Sequence, residues 1–164
     1  MKVLIMGLPG SGKTTFAEKL HKALINSAWF NADKIREMTN DWDFSDEGRT
    51  RQSKRMRNLA DFESENSRWA ICDFVCPTRE TRKNFDADIT IWMDTIDQGR
   101  FEDTNKLFQK PENIEYRITD WDKINIDEIV LDLFGQRNFI HSNVHAGDVP
   151  KRMPAKVYNY MKSE

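Results

Sequence analysis

The sequence has no apolar run approaching the 18 residues that would mark a membrane-spanning helix, and that absence excludes a helical membrane protein. The apolar opening, Val3 to Leu8, is too short for the core of a secretory signal. Cysteine is scarce: Cys72 and Cys76 are the only two, which excludes a disulfide scaffold and makes a reducing cytoplasm the expected compartment. Charge of one sign is lacking as well. With 25 Lys and Arg against 27 Asp and Glu, the net charge is −2, so nothing draws the whole molecule to nucleic acid or to an anionic membrane. Any basic site has to be local. Internal repeats and low-complexity tracts are missing too. What is present suits a single packed domain: 164 residues, 38% of them hydrophobic and 11% aromatic, with 32% charged residues for the surface.

The most informative stretch comes first. Lys2-Val3-Leu4-Ile5-Met6 reads as a buried strand and leads into Gly7-Leu8-Pro9-Gly10-Ser11-Gly12-Lys13-Thr14, followed at once by an amphipathic segment. This is G-x-x-x-x-G-K-[ST] between a strand and a helix, the context a phosphate-binding loop requires. Gly7, Gly10 and Gly12 free the backbone to turn successive N–H groups inward around a phosphate, with Ser11 and Thr15 in the same loop. The helix starting near Lys13 directs its positive end to the same point. Lys13 is expected to reach the β- and γ-phosphates, and the Thr14 hydroxyl to complete the coordination of Mg²⁺. The loop implies binding of a nucleoside triphosphate.

Along the chain, strands and helices alternate. Helices are expected at about Lys13 to Ile25, Lys34 to Met38, Asp46 to Ser67 with Ser45 as cap, Arg79 to Asn84 with Thr78 as cap, and Ile126 to Phe134. Strands are expected at Ser27 to Asn31, Arg68 to Phe74, Ile89 to Met93 and Ile114 to Thr119. The pattern predicts an α/β three-layer sandwich, a mostly parallel five-stranded sheet with helices on both faces. The expected domain covers residues 1–135, with a lid at about 98–110 and a loosely docked tail over 136–164.

Ligands in such sheets lie outside the carboxyl ends of the strands. Asp33 follows the second strand, where it suits a general base, and a helix cap is its competing role. Asp73 closes the third strand, as an acidic partner for Mg²⁺ or as a turn residue. Asp94 and Thr95, ending the fourth, read as structural. Arg49, Arg51, Lys54, Arg55 and Arg57 form a basic run that is either a solvated helix face or a clamp for a second anion. Residues 98–110 intersperse Arg100, Lys106 and Lys110 with Phe101 and Phe108, the composition of a lid that brings positive charge over a transferring phosphoryl group. His141 and His145 have i, i+4 spacing but lack the glutamate of H-E-x-x-H, which argues against a metal site. Cys72 and Cys76 are read as packing residues.

Three segments together resemble adenylylsulfate kinase: the phosphate loop through Thr15, then Asp33 with Arg36, then Phe44-Ser45 with Arg49. The resemblance covers roughly residues 1–108. The D-G-D-N-x-R segment of that family is present as Asn31-Ala32-Asp33-Lys34-Ile35-Arg36, and its F-S-x-x-D-R-x-x-N helix as Phe44 to Gln52. Gly48 stands for an Asp and Gln52 for an Asn. The lid segment D-P-K-G-L-Y is similar to Asp103 to Phe108, with Lys106 displaced by one place. The resemblance implies a P-loop fold and transfer of phosphate from Mg·ATP to the 3′-hydroxyl of adenosine 5′-phosphosulfate. By the same resemblance Phe44 lies against the substrate adenine, Arg49 helps hold its phosphosulfate, and Arg36 and Lys106 complete the acceptor site.

Two other readings compete. One is a kinase for a nucleic-acid hydroxyl, motivated by the basic run and by Trp42, since charge plus stacking holds single strands. The other is a nucleotide-binding protein with no acceptor. The expected partners are ATP and a small nucleotide-like acceptor, with nucleic acid as the alternative, no membrane, and a homodimer allowed.

Overall fold

In the computed structural model, the structure describes residues 1–144 and 158–159, with side chains as far as residue 138. Strand β1 (Lys2–Met6) is buried on both faces, and its side chains alternate between two apolar layers. Val3 and Ile5 face one layer; Leu4 and Met6 face the other. This period of two explains why an unbroken apolar run forms a central strand.

Helix α1 (Lys13–Ala23) packs Phe16, Ala17 and Leu20 against the Val3 layer. Strand β2 (Ser27–Asn31) follows, then α2 (Ala32–Thr39), capped by the Asn31 side chain and closed by Asn40 at φ 49°. Helix α3 (Asp46–Glu65) begins where Ser45 accepts a hydrogen bond from the Gly48 N–H. Then come β3 (Trp69–Asp73), α4 (Arg79–Phe85), β4 (Ile89–Met93), the short α5 (Glu102–Leu107) and β5 (Tyr116–Ile118). The expected caps Ser45 and Thr78 are both in place, Thr78 in a reciprocal box with Thr81.

The five expected strands run parallel in the order β2-β3-β1-β4-β5. A two-residue strand, β6 (Tyr158–Asn159), adds to the outer edge beside β5. Helix α6 (Ile126–Val144) runs ten residues past Phe134, so the start of the expected tail is helical. Gln136 donates to the Tyr116 hydroxyl at 3.1 Å, and Arg137 to the Ser67 carbonyl at 2.6 Å. His145 lies outside the described residues, as does the side chain of His141.

Helices α1 and α6 cover one face of the sheet, with Ile129 and Leu133 in the Val3 layer. Helices α3 and α4 cover the other through Met56, Ala60 and Phe85. Each such side chain, fully buried, stabilises the fold by roughly 1.5–3 kcal/mol. The register sets Ile5 opposite Asp73 and Asp73 opposite Asn31, so three strands end level with one another beneath the phosphate loop.

Candidate active site

The phosphate loop needs its glycines for both angle and room. Gly7 sits at φ 149°, and a Cβ there would lie 2.5 Å from the Met93 carbonyl oxygen. Gly12, at φ 92°, lies so close under Trp121 that a Cβ would come 2.2 Å from the ring. No side chain caps the N-terminus of α1, so its first N–H groups remain open to an anion. Thr95 donates to the Ser11 carbonyl at 2.7 Å, the structural role expected of that residue, and Asp94 accepts from Arg117 at 2.5 Å. The Ser11 hydroxyl is buried and has no partner among the described residues.

Lys13 is turned back on the loop, its ammonium donating to the Leu8 carbonyl at 2.9 Å. Burial lowers its pKa to about 8, with Asp73 and Asp33 opposing the shift. A half-buried cation turned onto a carbonyl, beside uncapped amides, is an environment that a phosphate group completes.

Asp73 is 2% exposed and accepts three side-chain hydrogen bonds. Thr14 and Asn31 donate to Oδ2, each at 2.8 Å, and Trp29 Nε1 donates to Oδ1 at 2.7 Å. The turn-residue reading of Asp73 does not describe this arrangement. Among the described residues no group of three or more His, Cys, Asp or Glu gathers as a metal cage. One carboxylate plus a hydroxyl beside a phosphate loop fits Mg²⁺, which takes one or two carboxylates along with substrate phosphates.

Asp33 is exposed in the first turn of α2 and lines the cleft. Its competing role as a cap is taken by Asn31, whose Oδ1 accepts from the Lys34 N–H at 3.0 Å. The same Asn31 side chain therefore caps α2 with its oxygen and holds Asp73 with its nitrogen.

Across the cleft, the loop between α2 and α3 is fixed from below. Arg36, 5% exposed, donates to the carbonyls of Asp41 and Asp43 at 2.8 and 3.1 Å. Its guanidinium lies 4.7 Å from the centre of the Phe44 ring, and that of Arg49 lies 5.7 Å from it. Phe44 and Trp42 stand about half exposed at the cleft wall. Gly48 follows from the same loop: a Cβ there would lie 2.3 Å from the Asp43 carbonyl, leaving no room for an aspartate. Gln52 is buried and donates to the Ala32 carbonyl at 3.1 Å, joining α3 to the start of α2.

The structure brings Gly10, Gly12, Lys13, Thr14, Thr15, Asp33, Arg36, Phe44, Arg49 and Asp73 to one cleft of about 650 Å³. Lys106 is not among its walls. It is exposed on α5 and pairs at 2.7 Å with Glu102, which i, i+4 spacing sets on the same helix face. Arg100 and Phe101 line the cleft in its place. The basic run is largely neutralised. Arg51 pairs with Asp41 and Asp43, Arg55 with Asp41, and Arg57 with Asp61 and Asp86. Cys76 also borders the cleft, but burial pushes its thiol up to about 12 and it stays protonated, as does the buried Cys72. The sequence reading missed Trp29 and Asn31. Their i, i+2 spacing on an expected strand, putting both on one face, was the available signal.

Fold and site together define a P-loop phosphotransferase: a parallel sheet, a phosphate loop at its centre, and a cleft beside it for the acceptor. The sequence matches the adenylylsulphate kinase family over residues 1–118, and the chain belongs to that family. It is similar in structure to the Mycobacterium tuberculosis APS kinase solved with AMPPNP and APS. The two are 19% identical, with 82% of this chain and 95% of that one covered and a TM-score of 0.62. A hexameric APS kinase from Thiobacillus denitrificans is 24% identical, covering 89% of this chain and 29% of that one, with a TM-score of 0.62. A sugar kinase from Janibacter shares the fold at 16% identity, 84% and 94% coverage and a TM-score of 0.56. No curated protein sequence matches the chain.

Proposed function

We propose that this kinase transfers the γ-phosphoryl group of Mg·ATP to a hydroxyl of a small nucleotide-like acceptor, the 3′-hydroxyl of adenosine 5′-phosphosulfate being the best candidate. One observation carries this reading: the phosphate loop, the Thr14–Asp73 pair, Asp33, and the Phe44–Arg49 pair all open into a single cleft. The resemblance of Phe44 and Arg49 to the acceptor residues of the family supports the choice of adenylylsulfate.

In this mechanism Lys13 leaves the Leu8 carbonyl for the β- and γ-phosphates. Thr14 and Asp73 are the residues that would hold Mg²⁺, which supplies charge neutralisation between the phosphates. Asp33 accepts the hydroxyl proton as the acceptor oxygen bonds to the γ-phosphorus and the bond to the β,γ-bridging oxygen breaks, releasing ADP. Arg36 supports the acceptor loop from beneath, and Arg100 brings lid charge over the transferring group.

The test is transfer of label from γ-labelled ATP, in parallel, to adenosine 5′-phosphosulfate, AMP and single-stranded DNA. Label on the phosphosulfate is the expected outcome. Label on DNA alone would overturn the reading, and label on none, with ADP formed, would leave nucleotide hydrolysis without an acceptor. The pairing of Arg51, Arg55 and Arg57 with carboxylates reduces the charge that α3 offers a nucleic-acid strand, with Arg49 and Lys54 outside these pairs.

A further inference from the structure

Each of the three donors to Asp73 raises the question of what it is for. Thr14 belongs to the phosphate loop, and Asn31 caps α2. Trp29 has neither duty. It is half buried on β2, an edge strand paired only with β3, where its indole N–H would otherwise meet water. Instead the N–H lies 2.7 Å from Asp73 Oδ1, with the Lys34 ammonium 5.6 Å from the ring centre and the His21 ring 6.2 Å away. Thr14 and Asn31 hold Oδ2, but bonds to one oxygen alone leave the carboxylate able to turn about its Cβ–Cγ bond. A charge-assisted hydrogen bond on the other oxygen stops that turn and fixes where Oδ2 points.

We propose that Trp29 is a positioning residue for the cation site: its indole N–H pins Oδ1 of Asp73, so that Oδ2 is the oxygen presented to Thr14, Asn31 and the metal. This rests on the reading above that Thr14 and Asp73 hold Mg²⁺. Partners of metal ligands act through orientation, and their loss typically lowers metal affinity by about 10- to 100-fold.

Trp29→Phe keeps an aromatic ring on the edge strand and removes the N–H together with the rest of the indole's second ring, so the loss of packing is read separately from the thermal midpoint. Calorimetry of ATP binding, with Mg²⁺ titrated and again in chelator, is the measurement, and the thermal midpoint is recorded for each variant. The Mg²⁺ concentration needed for half-maximal binding should rise on the order of tenfold. Metal-free ATP binding should stay within about twofold, since the phosphate loop is untouched. On an Asp73→Asn background, Trp29→Phe should add nothing, because the group it orients has been changed. If Trp29→Phe leaves the Mg²⁺ requirement unchanged while Asp73→Asn raises it, the indole is structural and the proposal fails alone. Equal weakening with and without Mg²⁺ also overturns it. If Asp73→Asn leaves the requirement unchanged, the cation site is elsewhere, and both readings fall.

Discussion

The two halves of the cleft are built differently. The donor half is backbone and strand ends: a glycine loop with no room to vary, and Asp73 held by three donors at 2% exposure. The acceptor half is side chains on a surface loop and a short helix, with Trp42, Phe44 and Phe101 each near half exposed. Donor chemistry is the same for every phosphate acceptor, so its geometry is fixed by the core. The proposed acceptor recognition lies on elements where substitutions leave the sheet undisturbed.

That contrast can be broken most severely at Lys13. Lys13→Ala should abolish turnover, a fall of at least about 10³-fold in kcat with the fold intact, checked by γ-phosphoryl transfer and circular dichroism. Asp33→Asn lies where the halves meet. It should lower kcat on the order of 10²-fold with little change in ATP affinity, and an unchanged kcat would remove Asp33 from the chemistry. Arg49→Ala tests the acceptor half alone, raising the acceptor KM about tenfold, a difference of about 1.4 kcal/mol, at constant KM for ATP.

The donor half should also answer to pH. Lys13 titrates at about 8 in the free protein, and a bound phosphate restores its charge. ATP affinity should therefore be near full at about pH 7, be halved by about pH 8 and fall about a further fivefold by pH 9, with proton uptake on binding visible as a buffer-dependent enthalpy. The free protein behaves oppositely. Between about 8 and the ordinary lysine value of 10.5 the unfolded chain holds the Lys13 proton that the folded one has lost, so this group's contribution to stability rises with pH. The smallest effect belongs to Lys106→Ala: no measurable change in either KM or kcat, since its ammonium is directed to Glu102 and away from the cleft.

The sequence made the donor half legible because its determinants are local. The phosphate loop directly after its strand, the caps Ser45 and Thr78, and the apolar runs of β1 and β4 each signal through neighbours a few positions away. The acceptor half was legible only through its resemblance to a family, and there the residue identities misled in places. The basic run on α3 read as either a solvated face or an anion clamp, and the sequence did not show that Asp41 and Asp43, ten and eight residues before Arg51, fold back onto it. Asp41 is held well below the usual carboxylate range by Arg51 and Arg55. Lys106 faces out on α5, a helix of six residues whose polar sequence has no apolar stripe to announce its inner face, while Arg100, just before that helix, lines the cleft. The Trp29–Asp73 bond joins residues 44 apart in sequence, and no local pattern encodes it.

Asn31 links these halves through one amide. Its oxygen holds the first turn of the helix that carries Asp33, and its nitrogen reaches both Asp73 at 2.8 Å and Thr14 at 3.2 Å. The amide works as a ruler: the span from the proposed metal ligands to the proposed base is fixed by a group a few atoms long, independent of the lid and of the aromatic loop. Changes in those two loops therefore leave the span between the proposed metal ligands and the proposed base as it is.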